Sequence, residues 1–454
     1  MDKDYLEGAT IKTACHKLPN SKKEGTAGRW GTPGEQCDAP TLLARETIKW
    51  IANEWRDKLD FVIWTGDNAK HDWDRKHKRK RRHVYDLNQY ATDMMMDAFW
   101  PRHGGDPIPI IPTLGNNDVY PHNQMATDES ELLSFYEQLW RPWIPQNQRE
   151  TFRQGGYYKV SVGDRMSVIT LNTMYFYTKN DAVRSCRRLD SAGYTQLVWF
   201  QDQLKAARLS RERIYVMGHI PPSPRDYMDT CLSEYLRLAG EYSDVIMGQF
   251  FAHLNMDHFL LYDGREMGLA ASQPEMDVHI NRDIDEYVDW LRSMYQNIDP
   301  LDDKNAPQGS QRHVVVVQVA PSVLPVYYPG FRIYKYELND DDEDEDDYSK
   351  GDYGDDEDDN DDDDDKPYGT LLGYSQYFSN LTRLNEIDAE TLHYELEYTT
   401  WDAYGMTDLT IESYFELAKQ MVEDDSSKGN DLWTLYRRHM LVSTQNFSSD
   451  PFEQ

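Results

Sequence analysis

The stretch "FVIWTGDNAKHDW", residues 61–73, opens as a short apolar run from Phe61 to Trp64 and breaks at Gly66 into a polar turn that begins with Asp67. A run this short and this apolar reads as a strand buried inside a sheet. The same pattern recurs three times. "PIPIIPTLGNN" (107–117), "RIYVMGH" (213–219) and "DVIMGQFFAH" (244–253) are apolar runs that end in Asn116, His219 and His253. Four strand-like runs therefore finish in side chains able to ligate a metal, and in open α/β sheets functional groups gather beyond the carboxyl ends of the strands.

Helical pattern alternates with these runs. "TLLARETIKWIANEW", from Thr41, repeats apolar residues at helical spacing (Leu43, Ile48, Ile51, Trp55), with Asp38 and Pro40 as start signals. "YTQLVWFQDQLKAAR" (194–208) reads as a second helix, and "VSVGDRMSVITLNT" (160–173) as a hairpin about Gly163-Asp164. "RHVVVVQVAPS" (312–322) and "FRIYKYEL" (331–338) are β-prone and close the unit. The expected fold class is α/β, a sandwich of two mixed sheets flanked by helices.

The 454 residues carry a formal net charge of -32, but the excess is concentrated. From Asp340 to Asp365 there are 19 acidic residues against one lysine, so the remainder is only mildly acidic. That balance argues against a nucleic-acid partner. Residues 339–366 read as a disordered acidic linker, with a counter-ion store or a mimic of a polyanionic substrate as the sharper alternative. Residues 367–454 carry an aromatic-rich helical pattern ("IESYFELAKQMV", "LWTLYRRHML") and are expected to form a helical extension packing on the core.

Cys15, Cys37, Cys186 and Cys231 fall as two pairs with neither a C-x-x-C nor a zinc pattern. Disulfides Cys15 to Cys37 and Cys186 to Cys231 are the simplest pairing; four cysteines permit three connectivities, and four free thiols in a cytosolic protein are the alternative. Two N-x-S/T sequons, at Asn380 and Asn446, favour a lumenal compartment. No run of 18 or more apolar residues and no signal-peptide pattern is present, so the chain is expected to be truncated at its N-terminus.

The motifs "GD", "GNND", "GH" and "AHLN" follow the order seen in the calcineurin-like metallophosphoesterases. Within that superfamily "EGATIKTACH", "GNNDVYPHN", "LNMDHF" and "YYPGFRIYKYEL" most resemble the fungal endopolyphosphatases, an acid-sphingomyelinase-like branch, and the cysteine placement fits them. The resemblance covers most of residues 4–338, so 1–338 is expected to be the metallophosphoesterase domain. It implies that Asp67 bridges two divalent metal ions (Zn, Mn, Fe, Co or Mg) while Asn116, His219 and His253 complete one site and Asn255 serves the other. Such a donor set suits borderline divalent ions. Asp118 is expected to orient its neighbours from behind.

The superfamily's G-N-H has Asn117 in place of histidine here, which removes a proton donor. A polyphosphate leaving group is a weak base and needs less protonation than an alkoxide. His71 is then the candidate acid implied by the sphingomyelinase-like relatives, or else a surface turn residue; His71 and Asn117 are the candidate catalytic residues. The superfamily's D-x-H should precede "DYLEGATIKTACH", yet the chain begins Met1-Asp2-Lys3-Asp4. The first strand is therefore expected to be missing, together with an upstream membrane anchor, and metal binding to be impaired.

The resemblance implies two-metal hydrolysis of internal phosphoanhydride bonds in inorganic polyphosphate, on the lumenal side of the vacuolar membrane. The basic run through His83 offers Lys78, Arg79, Lys80, Arg81 and Arg82 as contacts for a polyanion, or forms a solvated loop. A phosphodiesterase of the sphingomyelinase-like type, or a non-catalytic module that binds polyphosphate or metal, are the alternatives.

Overall fold

The computed structural model of the chain describes residues 1–20, 25–74, 76–100, 107–263, 284–298, 314–324, 326–338, 366–423 and 432–444. The apolar runs do become buried strands. A six-stranded mixed sheet has the order β3-β4-β5-β6-β8-β7. Its centre is parallel: β4 (Met166–Thr170), β5 (Arg213–Met217), β6 (Ile246–Phe251) and β8 (Val314–Val319). β3 (Tyr158–Gly163) and β7 (His258–Asp263) close its two edges antiparallel. Every residue of β4 is buried, as continuous apolar sequence in a covered strand requires.

The second layer is divided rather than one mixed sheet. β1 (Val62–Trp64) and β2 (Ile110–Pro112) pair in parallel, and β9 (Gly330–Tyr336) belongs to an antiparallel three-stranded sheet, β11-β10-β9. β1 and β2 lie against the six-stranded sheet. The Tyr158 hydroxyl donates to Pro112 O at 2.8 Å, the Thr113 hydroxyl donates to Leu171 O at 3.2 Å, and the Phe61 and Tyr215 rings meet at 6.2 Å. The helix expected from Thr41 forms as α1 (Thr41–Trp55), and the helix expected at 194–208 lies within α5 (Ala192–Leu209). α2 (Arg81–Phe99), which the sequence reading passed over, buries Val84, Leu87, Ala91, Met94 and Met95.

The C-terminal region differs from the helical expectation. It contributes β10 (Leu371–Phe378) and β11 (Glu395–Thr399), with β10 pairing to β9 across seven registered residue pairs. The helices at "IESYFELAKQMV" and "LWTLYRRHML" do form, as α10 (Ile411–Glu423) and α11 (Leu432–Met440). Asp257 joins this region to the core: already ion-paired with Arg332 of β9, it also accepts from the Tyr398 hydroxyl of β11, and its N–H donates to Met440 O at 3.0 Å. Of the expected acidic linker, only Lys366 lies among the described residues, and Asn446 lies outside them.

Beside that ion pair, burial pushes the Glu397 carboxyl up to about 8, although Gln376 donates to it at 2.7 Å. A carboxyl raised in the fold adds stability below its unfolded value near 4.3, and that contribution is lost as pH rises through about 8. The chain is therefore expected to melt lower at pH 8 than at pH 5. Glu397→Gln should regain about 2–4 kcal/mol at pH 8; an unchanged pH profile in denaturant titrations of that variant would refute the assignment.

Disulfides join Cys15 to Cys37 and Cys186 to Cys231, the simplest of the three pairings. They close loops of 22 and 45 residues, each contributing about 3 kcal/mol by restricting the unfolded chain.

Candidate metal centre

Because β1 pairs in parallel with β2 and β5 with β6, the turns that follow these four strands lie at carboxyl ends of their sheets. The turns deliver Asp67, Asn116, His219 and His253 to one point. The His219 Nε2 lies 3.1 Å from Asp67 Oδ2, 3.0 Å from Asn116 Oδ1 and 3.3 Å from His253 Nδ1, and the last two atoms are 2.9 Å apart. Asn116 and His219 are 1% exposed and His253 4%, while the Asp67 side chain is 22% exposed, so the cluster opens to solvent on the Asp67 side.

The His219 Nδ1–H donates to Thr65 O at 2.7 Å, which in the neutral ring leaves Nε2 as a lone pair. Asp67 Oδ2, Asn116 Oδ1, His219 Nε2 and His253 Nδ1 therefore converge on one point, two oxygens and two ring nitrogens of the kinds that ligate divalent ions. Metal bonds of 2.0–2.2 Å separate neighbouring donor atoms by about 3.0–3.5 Å, so the observed edges fit a divalent ion. Burial alone would raise the Asp67 pKa and lower that of His219. Their mutual attraction reverses both, so Asp67 is held below the usual carboxylate range and His219 above the usual imidazole range.

Strained backbone aims these side chains. Asp67, His253 and Asn255 have φ of 64°, 70° and 57°, in the left-handed region that non-glycine residues rarely occupy. Gly115 makes room for Asp67, since a Cβ there would sit 2.1 Å from Asp67 Oδ1 and 2.5 Å from its N. Gly115→Ala is therefore expected to push Asp67 aside and weaken metal binding at least about 10-fold. Calorimetric titration of Mn²⁺ into the variant would detect this, and unaltered affinity would show that the turn yields without cost.

Asn117 links two parts of the site. Its N–H donates to Asp67 Oδ1 and its Nδ2 to Asp67 Oδ2, both at 2.8 Å, and Nδ2 also lies 3.2 Å from His71 Nε2. His71 stacks flat on Trp73 at 4.4 Å, and its Nδ1 pairs with Asp38 Oδ1 at 2.8 Å. Asp38, read from sequence as a helix start signal, is instead the carboxylate that orients His71. The helix N-cap is Pro40, with no side-chain cap. Burial would raise the Asp38 pKa, but His71 outweighs it and holds the carboxyl down at about 2.

His122 and Asn123, which no strand-end pattern singles out, also belong to the site. Asn116 Nδ2 lies 3.3 Å from His122 Nε2 and 2.9 Å from Asn123 Oδ1, and burial pushes His122 down to about 4. The available signal was position alone, six and seven residues after Asn116 in one turn. Asn255 is half-buried and makes no hydrogen bond to the other candidate ligands.

The basic run divides. Arg79 is buried, not a surface contact: its guanidinium donates to Lys70 O at 2.7 Å, to Asn117 O at 2.9 Å and to Val119 O. Arg81 is exposed and pairs with Glu131 at 2.9 Å. Lys78, Lys80 and Arg82 are exposed and make no ion pair among the described residues. Through Arg79 the run is tied directly under the Asn117 turn.

The family model for calcineurin-like phosphoesterases matches residues 42–256, and that for the acid sphingomyelin phosphodiesterase C-terminal region matches 364–448. The endopolyphosphatase of Schizosaccharomyces pombe is 30% identical over 93% of this chain and 81% of its own length. The chain belongs to the endopolyphosphatase family. The endopolyphosphatases of Cryptococcus neoformans and Saccharomyces cerevisiae are 32% and 29% identical, each over 75% of this chain. The chain spans only 57% and 60% of those two endopolyphosphatases. Divalent metal ions are the cofactors that a calcineurin-like phosphoesterase domain implies.

Proposed function

We propose that this chain carries the metal-binding core of a metal-dependent endopolyphosphatase, which hydrolyses internal phosphoanhydride bonds of inorganic polyphosphate. The four convergent donors make one metal site, and the second site of the family would need the D-x-H ligands that this sequence lacks ahead of Asp4. The observation that carries the reading is the convergence of Asp67, Asn116, His219 and His253 within metal-bonding geometry, with exposed Lys78, Lys80 and Arg82 on the run that Arg79 ties to the Asn117 turn. Divalent ions there would supply Lewis acidity toward phosphoryl oxygens. Asp67, Asn116, His219 and His253 would hold one ion, and Asn255 would contribute to the second. Asn117 fixes the Asp67 carboxylate from behind. His71, oriented by Asp38, would exchange a proton with the departing phosphate, which as a weak base asks little of it.

The test is polyphosphate shortening on a gel with Mn²⁺, Zn²⁺, Co²⁺ or Mg²⁺ added. Shortening that depends on added metal supports the reading; tight binding without cleavage would favour a binding module. Similarity of residues 364–448 to a sphingomyelin phosphodiesterase region favours phosphodiesters as the second reading, and a parallel assay on a choline phosphodiester separates the two. Lys78→Glu, Lys80→Glu and Arg82→Glu together are expected to raise KM for long polyphosphate about 10-fold or more at low salt, with the effect shrinking as salt rises. A salt-independent change would count against an electrostatic track.

We also propose residence on the lumenal side of the vacuolar membrane, with glycans at Asn380 and Asn446. The two disulfides and the sequons support an oxidising lumen. No described helix is long and apolar enough to cross a membrane. Glycosidase treatment of protein from the native host, followed by a mobility shift, tests the glycans.

A further inference from the structure

An amide ligand raises a difficulty that a carboxylate does not, because only its oxygen end can coordinate. The two ends of Asn116 are nearly the same shape, so something must hold Nδ2 away from the centre. In the structure Oδ1 faces His219 Nε2 and His253 Nδ1, at 3.0 and 2.9 Å, while Nδ2 points the other way, to Asn123 Oδ1 at 2.9 Å and His122 Nε2 at 3.3 Å. Both acceptors come from one turn that closes back on Asn116. The Asn123 N–H donates to Asn116 O at 3.3 Å, the Gln124 N–H donates to Pro121 O at 3.0 Å, and Asn123 takes a left-handed φ of 63°. His122 is further confined by the His71 ring, edge-on at 6.2 Å.

We propose that His122 and Asn123 are positioning residues that lock the orientation of the Asn116 amide, and so set the affinity of the metal centre. The inference rests on the metal-centre reading above. Without these acceptors the amide is free to turn, and a turned amide presents N–H groups, with no lone pair, to a cation. Neither residue touches metal or substrate in this role; each acts through Asn116.

The test titrates Mn²⁺ or Zn²⁺ calorimetrically into the metal-stripped full chain. His122→Phe removes one acceptor, and Asn123→Gly removes the other while tolerating the left-handed backbone. Each is expected to weaken binding about 10-fold, and the double variant about 100-fold. His122→Gln and Asn123→Asp restore an acceptor and should stay within about threefold of the parent, the rescue that a merely structural role would not give. Melting of the metal-free chain should be unchanged in all of them. Parental affinity in His122→Phe and Asn123→Gly, or equal weakening in the Gln and Asp variants, would overturn the inference. His219→Ala separates the two readings: if it binds as tightly as the parent, the metal-centre reading falls and this one with it. Loss in His219→Ala with no loss in His122→Phe and Asn123→Gly sinks the positioning role alone.

Discussion

Asp67→Asn is expected to lower metal affinity at least about 100-fold and to reduce the proposed metal-dependent polyphosphate shortening by about 10³-fold or more. The substitution isolates charge from shape. Asparagine is among the few residues that tolerate a left-handed backbone, so the φ of 64° at this position is kept. The side chain stays within reach of His219 Nε2, 3.1 Å away in the parent. What disappears is the single negative charge in a donor set otherwise made of one amide and two imidazoles. Asn117 donates to both carboxylate oxygens, and one of those bonds would be lost, because an amide nitrogen donates and cannot accept. Retained circular dichroism with lost Mn²⁺ binding is the expected pair of results. A variant that still shortens polyphosphate at the parental rate would remove Asp67 from the site.

Much of this candidate centre was legible in the sequence because each candidate ligand stands where an apolar run meets a turn. Asp67 after "FVIWTG", Asn116 after "IIPTLG", His219 after "IYVMG" and His253 after "MGQFFA" are all announced by strand composition. The structure brings those four together. What could not be read are side chains whose partners are distant in sequence. Asp38 lies 33 residues before His71, in a "CDAP" context that also suits a helix start, and only tertiary contact distinguishes the two. Arg79 sits among exposed lysines and arginines, so a charge run conceals one buried guanidinium that holds three carbonyls. β10 and β11 were missed for a related reason. Their aromatic and polar residues carry no clean alternation; β10 is made a strand by pairing with β9 on the far side of the acidic tract, and β11 by pairing with β10 in turn.

Asp118→Ala is expected to cost about 3–5 kcal/mol of stability, and to loosen the metal centre without removing any ligand. Its carboxylate is fully buried and accepts five hydrogen bonds. The N–H groups of Asp67 and Gly115 reach Oδ2 at 2.7 and 3.0 Å, and those of Asn68 and Ala69 reach Oδ1 at 2.8 and 3.2 Å, beside Asn88 Nδ2 at 3.1 Å. Alanine would leave these donors facing an apolar void, and unpaired buried donors cost far more than a bond returns when made. The same bonds tie the Asp67 turn to the Gly115 turn, and through Asn88 to α2. Asp118 therefore fixes the distance between Asp67 and Asn116, the two ligands whose turns it joins. Asp118→Asn keeps one acceptor oxygen and should lose about half as much. Denaturant midpoints rank the three proteins, and Mn²⁺ titration at temperatures where all remain folded reads the centre itself. Weaker metal binding in the order parent, Asn, Ala is the expected result. Lost stability with parental metal affinity would mean that the left-handed turns hold their ligands without Asp118, and that this carboxylate serves the fold alone.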